Sequence, residues 1–188
     1  RGNSLSLKFT GGMYDTFSQS LLISEDSGKG SFFFSGSHFT SGGISTARDM
    51  TGTGGFDEDS VERYVASCRM NGSFRDNTSL AFSMNYMDKE MDVDDAAGAD
   101  DPDNTASNSL FGTSVEFRHV PFAWWNYDAG VSLMSLERIY NSPPTGISTF
   151  DSSVKQGHLL NHFRVPVAGT VSIGAEIMDE SAGTSSGT

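Results

Sequence analysis

One segment of this 188-residue chain concentrates acidic side chains that could hold a metal ion. In the stretch KEMDVDDAAGADDPDNTASN, residues 89–108, seven carboxylates accompany one lysine, so the segment carries −6 of the net charge of −12. The carboxylates are Glu90, Asp92, Asp94, Asp95, Asp100, Asp101 and Asp103. Calcium accepts several carboxylate and carbonyl oxygens without a fixed spacing. The segment therefore predicts either an irregular calcium site, with Asp92, Asp94 and Asp95 as ligands, or a solvated acidic loop.

Other patterns with known chemistry are weak or missing. Residues 92–103 do not match an EF-hand loop, which needs Gly where Ala97 stands and Glu where Asp103 stands. His158 and His162 are four residues apart, which in a strand places them on one face about 13 Å apart, too far for joint chelation. We expect them to line a lumen together with Lys155 or its neighbours. The sequence contains no Ser-His-Asp, CxxC, P-loop or dinucleotide motif, so no enzymatic activity is predicted.

Composition excludes several classes of protein. A pI near 4.5 offers no basic stripe for phosphates, so nucleic-acid binding is not expected. The single Cys68 permits neither an intramolecular disulfide nor a cysteine zinc site. The sequence contains no run of about 18 apolar residues, so no transmembrane helix is predicted. Arg1 opens directly into patterned sequence, so we expect the chain to be mature, trimmed or partial.

Apolar and small or polar residues alternate along most of the chain, which is typical of half-buried strands. In SLAFSMNYM, for example, Leu80, Phe82, Met84 and Tyr86 alternate with Ser79, Ala81, Ser83 and Asn85. The same pattern occurs in VERYVASCRM, LFGTSVEF and TVSIGAEI. Nine strands are predicted, at residues 4–12, 15–24, 31–40, 61–71, 78–88, 109–118, 126–138, 151–164 and 169–180. The predicted fold is therefore all-β and antiparallel.

The length of the strands and of their connections favours a membrane barrel. Ten residues at about 3.3 Å each span roughly 33 Å, or about 24 Å vertically when tilted near 45°, which matches the apolar band of an outer membrane. Short turns are predicted at EDSGKG, FRDN, VPFAWW and VPVA, and long polar links at 41–60, 89–108 and 139–150. Short turns at one end and long loops at the other are typical of bacterial outer-membrane barrels. Trp124 and Trp125 with Phe122 suit the aromatic girdle at the periplasmic interface.

Two other protein classes remain open on the pattern alone. A secreted soluble β-sandwich, with a calcium-binding or adhesive function, also alternates apolar and polar residues. A passive porin would share the barrel. The predicted polar face is rich in Ser, Gly and Ala. This composition is more typical of a barrel lumen that is packed against other atoms than of the charged outer face of a sandwich.

In the order and spacing of its motifs, the chain resembles TonB-dependent outer-membrane receptors. LSLKFTGGMYDTFSQSLLIS, SFFFSGSHFTSGGIS and TVSIGAEIMDES resemble the first third of the barrel of this family. WWNYDAGVSL, FDSSVKQGHLLNHF and the DED of residues 57–59 are most similar to the cobalamin-receptor branch. The resemblance covers nearly the whole chain.

The resemblance implies a 22-stranded barrel around an N-terminal plug, importing a scarce small-molecule ligand, a corrinoid or a ferric siderophore, with energy from the TonB system. Residues 1–188 would be the N-terminal part of that barrel, with the plug and the remaining strands outside this chain. Nine strands do not close with every connection antiparallel, so the rest of the barrel is expected in the same protein or in a second chain. The implied location is the bacterial outer membrane, in contact with its lipid.

The resemblance also assigns ends and candidate residues. If the plug enters from the periplasm, the GGMY turn and the links at 41–60, 89–108, 139–150 and after 180 are extracellular. Cobalamin receptors carry a paired aspartate that helps to bind calcium, which implies Asp57 and Asp59 as ligands. Arg63, Arg69 and Glu116 would face the lumen, where they contact the plug, line the transport path or hydrogen-bond one another.

Overall fold

The fold is a single antiparallel sheet. A computed structural model describes residues 2–43, 59–74, 77–93, 104–143 and 145–187. Its strands are β1 (Ser4–Gly11), β2 (Phe17–Asp26), β3 (Gly30–Ser41), β4 (Val61–Ser73), β5 (Thr78–Asp92), β6 (Thr105–Phe122), β7 (Trp125–Ser142), β8 (Gly146–Val165) and β9 (Gly169–Gly187). Every strand pairs with its neighbours in sequence order. The prediction of nine antiparallel strands is confirmed.

The sheet has two chemically different faces, because directly paired residues of neighbouring strands point the same way. One register row joins Leu21 of β2, Gly36 of β3, Ala66 of β4 and Tyr86 of β5. The adjacent row joins Ser35, Ser67, Asn85 and Gly112. We call the first side the apolar face and the second side the polar face. The predicted alternation is confirmed in SLAFSMNYM, VERYVASCRM, LFGTSVEF and TVSIGAEI.

Within the described residues, neither face is covered by a second layer. In the described part of the chain, each strand contacts only its neighbours in the sheet. Cys68 and Ala106 are the buried apolar side chains of that part. Large apolar side chains therefore stand exposed on the apolar face, among them Leu5, Leu7, Phe9, Val131, Ile173 and Ile177. Contiguous apolar surface of this extent marks a contact with a membrane or with another protein.

The connections fall into two groups at opposite ends of the sheet. One end carries the links 27–29, 74–77, 123–124 and 166–168, and all four are short. We call it the short-turn end. The opposite end carries the links 12–16, 42–60, 93–104 and 143–145. The predicted link at 41–60 is confirmed in position, and the link at 89–108 shortens to 93–104.

Two predicted links are wrong. Strands β7 and β8 run through the predicted link at 139–150 and leave only residues 143–145 between them. Strand β9 continues to Gly187 rather than ending at residue 180. Residues 181–187 are small or polar, and residues 139–150 contain Ile139, Tyr140, Ile147 and Phe150 without period-two alternation, so the sequence pattern assigned both extensions to loops. Backbone ladder hydrogen bonds do not depend on side-chain polarity, so pairing continues to the turn at Pro143.

No helix in the described ranges is long and apolar enough to cross a membrane.

Candidate functional site

The predicted lumen residues lie on the polar face. Arg63 pairs with Phe39 and Lys89, and Arg69 pairs with Phe33 and Ser83. The guanidinium carbon of Arg63 lies 5.6 Å from the centre of the Phe39 ring. Glu116 lies two strands away on β6. The structure therefore places the three residues on one face without joining them as a cluster.

Glu116 instead contacts His158 across an intervening strand. Its Oε2 lies 3.3 Å from Nε2 of His158. Both residues have the same register partner, Gly130 of β7. A Cβ atom at Gly130 would lie 2.3 Å from Oε2 of Glu116 and 2.5 Å from Cε1 of His158. Strands two positions apart are separated by about 9.6 Å. The pair therefore forms only because Gly130 leaves the space between them empty.

A second polar row lies nearer the short-turn end. Asp128 of β7 accepts its closest contact from His162, whose Nε2 lies 3.1 Å from Oδ2. Its other oxygen lies 3.6 Å from Nε of Arg118. Nδ1 of His162 hydrogen-bonds Oγ of Ser172 at 2.8 Å. The row links four neighbouring strands, β6 to β9. It combines a cationic side chain, a carboxylate and uncharged hydrogen-bonding groups.

The histidine predictions are confirmed in part. His158 and His162 share the polar face, and each contacts a different carboxylate. Lys155 or its neighbours were expected beside them. Lys155 lies on the apolar face, paired with Leu133 and Asp179, whereas its neighbour Gln156 lies on the polar face, paired with Ser132 and Glu176. Successive strand residues alternate sides, so Lys155, three residues from His158 and seven from His162, points away from both histidines.

A depression of about 520 Å³ opens beside the two rows at the short-turn end. Glu116, Arg118 and Asp128 contribute to one side, and Lys29 to another. Carboxylates and cations thus line the same concavity, so it suits a polar segment or ligand that both donates and accepts hydrogen bonds. We call these rows and this depression the polar-face site.

The calcium candidates are only partly within the described residues. Asp57, Asp94 and Asp95 lie outside them. Asp92 accepts hydrogen bonds at Oδ2 from the backbone N–H (3.0 Å) and the hydroxyl (2.6 Å) of Ser60. Asp59 directly precedes Ser60, so this contact places it near the end of β5 in space. Across the described ranges, no group of three or more His, Cys, Asp or Glu side chains could hold a metal ion. Calcium binding therefore stays a prediction.

The sequence did not reveal a polar network on the apolar face. His38 of β3 and Tyr64 of β4 stack with their ring centres 4.4 Å apart. Oε1 of Glu62 lies 2.9 Å from Nε2 of His38 and accepts a hydrogen bond of 2.6 Å from the Tyr64 hydroxyl. The available signal was parity, because Glu62 and Tyr64 are two residues apart and share a face. The position of His38 opposite them required the register.

Aromatic side chains gather at the short-turn end of the apolar face. The rings of Phe122 and Trp124 stack at 5.5 Å, and those of Trp125 and Phe163 at 6.3 Å. Trp125 also contacts Tyr127 at 5.7 Å. The tryptophan pair therefore lies on the side of the sheet that the exposed aliphatic residues occupy.

Fold and site together define an all-β chain in which one nine-stranded antiparallel sheet separates an apolar face from a polar, partly charged one. No protein-family model matches the sequence, and no curated protein matches it.

Proposed function

We propose that this chain forms part of the wall of a TonB-dependent receptor in the bacterial outer membrane. The observation that carries the proposal is the separation of the two faces across all nine strands. An uncovered apolar face suits contact with lipid, and a face of small polar residues suits a filled lumen. The aromatic cluster at the short-turn end suits the membrane interface on the periplasmic side.

The outer strands support a larger barrel. Strands β1 and β9 each pair on one side only within the described residues. Their lengths, 8 and 19 residues, do not match, and an odd number of strands would make their pairing parallel. In a membrane an unpaired edge is costly, because no water satisfies its backbone groups. Further strands, in the same protein or a second chain, would complete a barrel of 22 strands around a plug.

The proposed activity is import rather than catalysis. A corrinoid or a ferric siderophore would bind at the extracellular end, and energy delivered by TonB would rearrange the plug. The polar-face site would contact the plug or line the path past it. Its carboxylates can accept hydrogen bonds from a folded polar surface, its arginine can donate them, and its histidines can take part in either role. Calcium would order the loops between β3 and β4 and between β5 and β6, with Asp57, Asp59, Asp92, Asp94 and Asp95 as its ligands.

The location is tested by fractionating the membranes of cells that produce the chain with any partner chain. We expect the chain in the outer-membrane fraction and expect it to stay monodisperse only in detergent. A soluble calcium-binding or adhesive β-sandwich would remain monodisperse in buffer, and this result would overturn the proposal.

The transport activity is tested separately, by uptake of labelled cobalamin and labelled ferric siderophore. Cells that lack the gene for this chain should lose energy-dependent uptake of one of the two ligands, and a plasmid copy should restore it. Uptake that continues without TonB would instead indicate a passive porin.

A further inference from the structure

An apolar groove crosses the first five strands on the apolar face. It is an open groove of about 510 Å³, lined mainly by aliphatic and aromatic side chains. These include Leu7, Phe9, Leu21, Phe34 and Tyr86. The volume falls within the range of roughly 300–1,000 Å³ that is usual for small-molecule sites. The groove is thus large enough for part of an amphiphile.

The groove exists because two small residues meet in its floor. Gly36 of β3 pairs directly with Ala66 of β4, in a row whose outer members are Leu21 and Tyr86. A Cβ atom at Gly36 would lie 3.5 Å from the ring of Phe34, which is an ordinary contact. The backbone therefore does not require glycine at this position, and the missing side chain opens the groove.

One end of the groove is polar. His38 lies there, with Nδ1 3.2 Å from Nε2 of Gln19 and Nε2 2.9 Å from Oε1 of Glu62. His38 and Tyr64 line the groove, and both contact Oε1 of Glu62, so the carboxylate of Glu62 is held at this end.

Two further carboxylates lie on the same face beside Glu62. Glu90 is its direct register partner, and Asp88 is the partner of Tyr64. Asp88 accepts a hydrogen bond from the Ser109 hydroxyl, which orients its carboxylate. The neighbouring cations Arg63 and Lys89 are on the polar face. The polar end of the groove is therefore negatively charged.

We propose that the groove binds an acyl lipid whose headgroup ends in an ammonium group, as in the phosphoethanolamine class. The acyl chain lies over Gly36 between the aliphatic and aromatic walls. The ammonium group lies at Glu62 and Asp88, where charge complementarity disfavours a headgroup of purely negative charge. The inference rests on the proposed contact of the apolar face with lipid, and it adds a defined site and a headgroup preference.

The test uses the full chain, with any chain that co-purifies, in a neutral maltoside detergent containing a photoreactive lipid. Phosphatidylethanolamine and phosphatidylglycerol, each with a diazirine in the acyl chain, are compared at equal concentration, and adducts are mapped by mass spectrometry. We expect adducts to concentrate on the peptides that contain Leu7, Leu21 and Phe34. We expect an excess of ethanolamine-lipid adducts of about two- to fivefold, the range of an exposed ion pair.

Two variants separate the roles of the chain and the headgroup. Gly36→Leu fills the floor and should abolish adducts of both lipids in the groove. Gly157→Leu is the matched control, because Gly157 lies on the same face of β8 and a Cβ there also meets its nearest atom at 3.5 Å. Glu62→Gln keeps a hydrogen-bonding oxygen and should bring the ratio of the two lipids close to one.

The outcomes distinguish this inference from the proposed function. Adducts spread evenly over the apolar face, or unchanged in Gly36→Leu, would overturn the groove and leave a lipid-exposed face in place. Equal labelling by both lipids in the unmodified chain would overturn the headgroup preference. An apolar face without adducts would overturn both the groove and the proposed membrane location.

Discussion

Glu116 and His158 lie on strands that are not neighbours, yet their side chains meet with Oε2 and Nε2 3.3 Å apart. The contact passes over Gly130, which is the register partner of both residues. A glycine in the middle of a strand is usually unfavourable, since it has no side chain to pack. Here its empty position is what allows a carboxylate and an imidazole from β6 and β8 to reach each other.

Gly130→Ala should separate this pair. The new Cβ would lie within 2.5 Å of both side chains, so each must turn away. A double-mutant cycle with Glu116→Gln and His158→Gln, measured by urea unfolding, should give a coupling energy of up to about 1 kcal/mol in the unmodified chain. The coupling should fall close to zero in the Gly130→Ala background. Gly112→Ala is the control, because a Cβ there meets nothing closer than 4.0 Å. Equal coupling in all three backgrounds would contradict the arrangement.

Asp128→Asn should destabilise the polar-face site, because Asp128 contacts both His162 and Arg118. We expect a loss of about 1 kcal/mol in the free energy of unfolding, since the contacts are partly solvated. Asp151→Asn makes the same change at an exposed position of β8 and should stay within about 0.5 kcal/mol of the unmodified chain. If both variants unfold alike, the contacts of Asp128 do not stabilise the sheet.

Arginine at two adjacent positions of β7 distinguishes a lipid-exposed face from a water-exposed one. Val131 is 61% exposed on the apolar face, and Ser132 points to the polar face. In a bilayer, Val131→Arg should cost about 2–4 kcal/mol near the midplane, and Ser132→Arg should be tolerated. Folding into lipid vesicles, followed by urea titration, measures the difference. Similar stability of the two variants would indicate that Val131 faces water.

Tryptophan fluorescence reports on the short-turn end alone, because the chain contains only Trp124 and Trp125. If their cluster with Phe122 and Phe163 lies at a membrane interface, lipids brominated near the headgroup should quench it more than lipids brominated near the chain end. Acrylamide in the aqueous phase should quench weakly. Strong acrylamide quenching without any effect of brominated lipids would contradict the girdle.

Calcium should raise the midpoint of thermal unfolding if the acidic loops bind it, and a chelator should reverse the effect. Asp59→Asn and Asp92→Asn should each weaken the response. Asp26→Asn removes the same charge at the opposite end of the sheet and serves as the control. A calcium response that Asp26→Asn reduces equally would indicate screening of net charge rather than a site.

The strand pattern could be predicted because period-two alternation is a local property. Each residue of SLAFSMNYM indicates its own face, and the structure places Leu80, Phe82, Met84 and Tyr86 together on the apolar side. The ends of the strands could not be predicted equally well. Residues 139–142 and 146–150 lack apolar alternation, and they pair because the preceding ladder continues, so the predicted link there was wrong.

The contacts of the site depend on register, which no single segment contains. Glu116, Gly130 and His158 are far apart in sequence, and so are His38 and Tyr64. The sequence by itself determined the strands, the two faces and the acidic character of the links between β3 and β4 and between β5 and β6. Only the tertiary structure decided which side chains meet, because a shift of one residue between two strands would move every partner to the opposite face.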